Sequence, residues 1–242
     1  MKDILQDIVS HTHALGFITL IKVTNTTDTV IDSITDDRNV VLNAKTHVKV
    51  KEFSSTFGMG NLDKLNLHLK NPEYRQNEKI FIVTDERDGE TVPTHIHFEN
   101  DQGDFQNDYR FMNKTIIEEK LKSAVFKGAT WNVTVYPSVA SVARLKLMSA
   151  AHSEETLFTV TTKENNLVFA FGDAASHAGE FVFEHGITGS LQNTWSWPIS
   201  EVQSILNLNG NLTMSISDQG AMKISVDSGL AQYDYICPAQ SK

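Results

Sequence analysis

Apolar positions along this chain recur in two periods, and the alternation between them marks out its elements. From Asp3 to Leu15 the residues Ile4, Leu5, Ile8, Val9 and Leu15 fall on one face of a helix. Short β runs follow at 17–23, 29–34, 40–44 and 47–53. In the last of these Val48 and Val50 alternate with Lys49 and Lys51, the period of two of a half-buried strand. Gly58 and Gly60 read as a break. Asn61 reads as the N-cap of a second helix through Lys70, with Leu62, Leu65 and Leu69 stacked three and four residues apart. Strands are expected at 79–84, 92–98 and 108–112.

The stretch 114–128 is mixed and polar and reads as a connector, after which the order returns. Trp131, Val133 and Val135 alternate against Asn132 and Thr134 in a strand over 131–136, and Pro137 opens a helix to about Ala150. Strands follow at 156–162, 167–171 and 180–183. Trp195 and Trp197 flank another, Pro198 opens a helix through Leu206, and strands at 212–217, 222–226 and 232–236 complete the chain. The second half therefore reads strand–helix–three strands, twice. The first half reads the same but lacks a clear opening strand. This is a repeat of elements, not of residues, and it implies an α+β architecture with short helices side by side on one face of sheets. The domains are expected at 1–113 and 129–242, joined by 114–128.

Composition narrows the function. At 242 residues, with 40% hydrophobic and 21% charged, the chain is neither disordered nor low in complexity. No apolar run approaches the roughly 18 residues that span a bilayer, so no membrane partner is expected. The start, Met1-Lys2-Asp3-Ile4, lacks the apolar core of a signal peptide, which points to a cytoplasmic protein. One cysteine, Cys237, excludes an intrachain disulfide and a cysteine-based zinc site. The net charge of −9 is shared by both halves: 15 basic against 20 acidic residues up to residue 125, and 6 against 10 after it. Neither half is a basic, phosphate-driven nucleic-acid binder, so any contact with DNA depends on cations gathered on one face.

Several local stretches resemble the ring-shaped DNA sliding clamps, in particular those of tailed bacteriophages and proliferating cell nuclear antigen. Met59-Gly60-Asn61-Leu62-Asp63-Lys64-Leu65 resembles the family's entry into the second helix. Val142-Ala143-Arg144-Leu145, with 155–160 and Asn166-Leu167-Val168-Phe169, resembles the third helix and its hairpin. Tyr233-Asp234-Tyr235-Ile236-Cys237-Pro238 resembles the closing strand and Pro-containing tail. The region 72–108 matches poorly. The resemblance implies a DNA-clamp fold and a homotrimer closed into a ring around duplex DNA. Such a ring is the processivity factor of DNA replication: it tethers the DNA polymerase, is opened by a separate clamp loader, and needs no cofactor.

The same resemblance assigns roles. Lys2, Lys64, Lys70, Arg144 and Lys146 would line the hole. On a helical projection Arg144 points away from Val139 and Val142, whereas Lys146 falls near them. Tyr109 and Phe111 in one subunit would meet Phe181 and Phe183 of the next. Tyr235, Ile236 and Pro238 would form a pocket for partner peptides. The expected setting is viral, in the host-cell cytoplasm.

Two other readings compete. Gly89 followed by His95-Ile96-His97 resembles the first motif of the cupins, in which two histidines two residues apart on a strand share a metal. That reading would make the chain a metal-dependent enzyme, but Glu99 comes too early for the family's glutamate and no second motif follows. The other is a β-rich viral structural protein, which would not need four helices at repeating positions. No phosphate-cradling, nucleophile-elbow or dinucleotide motif is present, and no catalytic residue or metal site is assigned.

Overall fold

The computed structural model describes residues 1–75, 77–87, 89–121, 126, 128–173, 175 and 177–240. Within the expected connector, 122–125 and 127 lie outside the described residues. The chain divides into two units. One comprises Met1–Thr35, Leu42–Val125 and Ser228–Tyr233, and the other Asp36–Val41, Phe126–Asp227 and Asp234–Lys242.

In the first unit the order is α1 (Lys2–Ser10), β1 (Leu20–Asn25), β2 (Thr29–Ile34), β3 (Val41–Thr46), β4 (Phe57–Gly60), α2 (Leu62–Lys70), β5 (Lys79–Arg87), β6 (Glu90–Glu99), β7 (Gln106–Arg110) and α3 (Lys114–Lys120). One sheet runs β4-β1-β2-β3 and a second runs β5-β6-β7. Helix α1 packs on α2. Leu5, Ile8, Leu62 and Leu65 are all within 1% of full burial, and each such side chain contributes about 1.5–3 kcal/mol by leaving water.

A buried polar network ties α1 to residues 228–233. Asp7 accepts hydrogen bonds from the Tyr233 hydroxyl (2.8 Å) and the Ser228 hydroxyl (3.0 Å). His11 stacks on Tyr233 at 4.5 Å, with Nδ1 3.2 Å from Asp7 Oδ1. Burial alone would raise the Asp7 pKa, but the hydrogen bonds from His11 and Tyr233 outweigh it and hold the carboxyl below its ordinary value.

The second unit contains β8 (Val133–Val135), α4 (Val139–Ala151), β9 (Leu157–Lys163), β10 (Asn166–Phe171), β11 (Gly179–Glu184), β12 (Trp195–Pro198), α5 (Ile199–Leu206), β13 (Asn211–Ser217), β14 (Ala221–Asp227) and β15 (Ala231–Pro238). Its sheets run β15-β14-β13-β8 and β11-β10-β9-β12, and α4 packs on α5 and against β11. Strand–helix–three strands thus occurs three times, opening at β4, β8 and β12. The fourth copy begins directly at α1.

Four local expectations give way. The segment 47–53 is not a strand, because side chains capture its backbone. Val50 N–H donates to the Thr29 hydroxyl (2.9 Å), and the Asn25 amide donates to the carbonyls of Val50 (3.3 Å) and Phe53. Val48 is left 77% exposed.

The glycines at 58 and 60 do not break the chain. They lie in β4, which pairs with β1 from Leu20↔Gly60 to Val23↔Phe57. A Cβ at Gly58 would sit within 2.8 Å of three atoms of Ile117, including its Cβ, so close approach requires glycine there, whereas one at Gly60 would meet only the flexible end of Met112 at 2.7 Å.

Asn61 precedes α2 in the left-handed conformation (φ 53°) without a side-chain cap, a backbone state asparagine tolerates better than most residues. The third helix starts at Val139, with the Ser138 hydroxyl accepting from Ser141 N–H (3.1 Å), not at Pro137. The connector also carries α3, capped by the Asn113 side chain accepting from Ile116 N–H (2.9 Å).

Candidate functional site

The helix cations differ in how free they are. Lys64 and Lys70 on α2 and Lys146 on α4 are exposed, with no ion-pair partner among the described residues. Helix α2 also carries His68, which stacks on Phe98 at 5.1 Å. Burial, with the nearby Lys64 charge, pulls its pKa down, so the net positive charge of this helix rests on its lysines.

Lys2 is engaged elsewhere. Its Nζ donates to Glu78 Oε1 (2.7 Å) and to the Tyr74 carbonyl, and this bond holds the Glu78 carboxyl below the usual range. Arg144 is exposed but leans over β11, with Nη1 3.5 Å from the Val182 carbonyl. The helical projection that set Arg144 apart from Lys146 used Val139 as a core marker, and Val139 is 90% exposed. Both cations therefore face outward.

The expected seam residues separate into two kinds. Tyr109 is 2% exposed and donates its hydroxyl proton to the Gly60 carbonyl, so it belongs to its own unit's core. Burial, with the charge of Asp63, keeps that phenol protonated. Phe183 is also buried and stacks on Phe169 at 4.3 Å. Phe111 and Phe181 are half-buried and remain available at the surface. Strands β7 and β11 each end the order of their sheets, and among the described residues no strand pairs along their outer edges, although Met112, two residues beyond β7, bridges Gly58 of β4.

Of the expected peptide pocket, Tyr235 is fully buried, Ile236 is 8% exposed and Pro238 is exposed. Only Pro238 is open to a partner. Cys237 between them is buried, and Trp197 Nε1–H donates to its carbonyl (2.9 Å). Burial, helped by Glu201, pushes the thiol up to about 12, which leaves it protonated and unreactive.

The histidines of the rival reading do come together. His95 and His97 share a face of β6, and Asp108 lies across from His97 on β7. Potential ligand atoms of the three fall within 4.8 Å of one another. The sequence reading weighed the histidines with Glu99 and missed Asp108, whose place depends on strand register and not on local spacing. The cupin's second motif is missing from the sequence, and Asp108, not Glu99, completes the group. The repeating helices count against a purely β-rich structural protein.

No family model matches the sequence, and no curated protein matches it. Solved structures do match. The chain aligns with A. fulgidus PCNA, in a complex with the C-terminal region of FEN-1, at a TM-score of 0.70 and 9% identity, covering 100% of this chain and 96% of that one. It aligns with PCNA from Thermococcus kodakaraensis at 0.69 and 9%, covering 98% and 97%. It aligns with the PCNA2–PCNA3 complex of Sulfolobus tokodaii at 0.64 and 14%, again covering 98% and 97%. At such low identity the likeness speaks for architecture alone: this chain has the α+β fold of the sliding clamps along its whole length.

Proposed function

We propose that this protein is a sliding clamp: a homotrimeric ring of domains 1–113 and 129–242 that encircles duplex DNA and tethers a replicative polymerase. The observation that carries the reading is the fate of equivalent strands. Strand β3, third in its repeat, has the start of β15 beside it, where His47 N–H donates to the Leu230 carbonyl (2.9 Å). Strand β15 is itself the last strand of a repeat. The equivalent pair elsewhere is β11, third in its repeat, and β7, last in its own. Among the described residues neither has a strand paired along its outer edge. Joining β11 of one subunit to β7 of the next repeats the β3–β15 junction between chains and covers edges that would otherwise invite aggregation. Phe111 and Phe181 supply the apolar contacts of that seam.

The helix cations fit the same reading. In a chain of net charge −9, Lys64, Lys70, Arg144 and Lys146 gather on exposed helix positions, and Lys2 serves mainly to anchor α1. A few cations attract a phosphate backbone without fixing the ring to one sequence, and an acidic exterior keeps DNA away from the outside. The protein acts by topology and binding and not by catalysis. Polymerase and clamp-loader peptides would dock beside the exposed Pro238, with Tyr235 and Ile236 holding the end of β15 in place from within the core. A tailed-phage origin and residence in the host cytoplasm belong to the same proposal and rest on the local stretches quoted above.

The test is solution mass by light scattering over a dilution series, followed by retention on circular and linear DNA. A mass near three times 27.0 kDa, with the trimer retained on closed circles and lost from linear DNA, is expected. A monomer at every concentration would overturn the ring.

A further inference from the structure

The His95–His97–Asp108 group has a proton arrangement that favours a cation. The Thr94 hydroxyl lies 3.0 Å from the Val83 carbonyl and gives its single proton there. Its oxygen must then accept from His95 Nδ1, 2.9 Å away. That leaves His95 Nε2 with a lone pair, facing Asp108 Oδ1 at 3.6 Å, beyond hydrogen-bond distance. His97 is held in the mirror sense: Nε2 lies 3.6 Å from Glu99 Oε2, and Nδ1 lies 2.8 Å from the same Asp108 Oδ1. Glu99 is in turn fixed by Lys79 Nζ at 2.5 Å. Each histidine therefore has one nitrogen aimed at one carboxylate oxygen and the other turned outward, hydrogen-bonded to Thr94 in His95 but 3.6 Å from Glu99, too long for a hydrogen bond, in His97. In His95 this is the arrangement by which outer partners orient metal-bound imidazoles.

We propose that His95 Nε2, His97 Nδ1 and Asp108 Oδ1 bind a first-row divalent transition metal, zinc fitting best, with Thr94 orienting the His95 ring and Glu99 facing that of His97. Two imidazoles and a carboxylate suit zinc and its neighbours, whereas calcium and magnesium favour shells made of oxygen. Binding at Nδ1 of His97 places the proton of the neutral ring on Nε2, on the side of Glu99. The metal would clasp β6 to β7 across the register pair His97↔Asp108, stiffening the last strand of that sheet. Its three protein ligands leave the fourth position to water. The inference needs only the first unit's own residues and stands apart from the clamp reading.

The full-length protein, stripped with EDTA and then dialysed against zinc, should retain one equivalent per chain and melt at a higher temperature than the stripped protein. His95→Ala, His97→Ala and Asp108→Asn should each weaken zinc binding by more than the ~10-fold or greater loss expected of Glu99→Gln. Cobalt(II) should give the intense visible absorption of a low-coordinate site, lost in the same variants. Melting of every variant in EDTA shows whether it is folded, and the stripped wild type is the reference. Failure of the wild-type chain to retain stoichiometric zinc would overturn the site and leave an ordinary ion pair. So would undiminished zinc binding by a folded His95→Ala/His97→Ala double variant.

Discussion

The two sheets that end at β11 and β7 mix aromatic and ionic contacts in different proportions. In β11-β10-β9-β12 the interior is aromatic: Phe169 contacts Phe158 at 4.8 Å and Phe183 at 4.3 Å, and Phe171 adds a further ring. In β5-β6-β7 one face is ionic, with Lys79–Glu99 at 2.5 Å and His97–Asp108 at 2.8 Å. Aromatic packing is worth the same at any pH or salt, whereas exposed ion pairs are screened and titrate. Each sheet also carries the other's device, with Phe98 and Tyr109 buried in β5-β6-β7 and Lys163–Glu180 at 2.5 Å on β11-β10-β9-β12, so what sets β7 apart is its histidine–carboxylate cluster.

Substitutions should separate these contacts, and their effects on folding should fall in order. Phe169→Ala removes the ring at the centre of the aromatic cluster and should cost about 3–5 kcal/mol in the second unit, read by urea unfolding. Asp7→Asn should cost roughly 1–3 kcal/mol in the first unit, since it disturbs buried bonds to Tyr233, Ser228 and His11. The sign of its pH dependence follows from a lowered folded pKa. The stability Asp7 contributes is complete above the ordinary value of 3.8 and is lost as the pH falls through the lower folded value. Hydrogen exchange in acid should thus open α1 in the wild type, and Asp7→Asn should flatten that dependence.

Phe181→Asp should change monomer stability less than Phe169→Ala, because Phe181 is half-buried, yet convert trimer to monomer in light scattering. A variant that keeps the trimer would move the seam away from β11. The smallest effect on folding belongs to Lys64→Glu with Lys146→Glu, within about 0.5 kcal/mol per exposed site. The same pair should shorten retention on circular DNA, most visibly at low salt.

Elements that carry their own period were legible from residues alone. Helix α2, with leucines at 62, 65 and 69, and strand β2 fall where the pattern places them. The misreadings share one cause, which is that the deciding partner is distant in sequence. Alternation at 47–53 looked like a strand until Asn25 and Thr29 took its backbone groups. Gly58 and Gly60 looked like a break until Ile117 and Met112 were seen against them. The candidate site divides along the same line: Arg144 could be named as an outward helix cation from spacing, but the exposure of Lys146, the Glu78 partner of Lys2 and the placing of Asp108 beside His95 and His97 could not. Tyr235 and Ile236 resemble a surface pocket in sequence and lie buried in the structure, since a strand's period says which residues share a face and not which face is covered.

The burial of Cys237 turns the chain into a ready-made reporter. Its only thiol is shielded and held in the unreactive protonated form, so maleimide dyes would pass it by in the native state. A cysteine introduced at an exposed bend such as Thr188 would be the sole labelled position without removal of the native residue. Identical single labels on neighbouring subunits would then signal opening and closing of their junction as changes in self-quenching, in a protein otherwise unaltered.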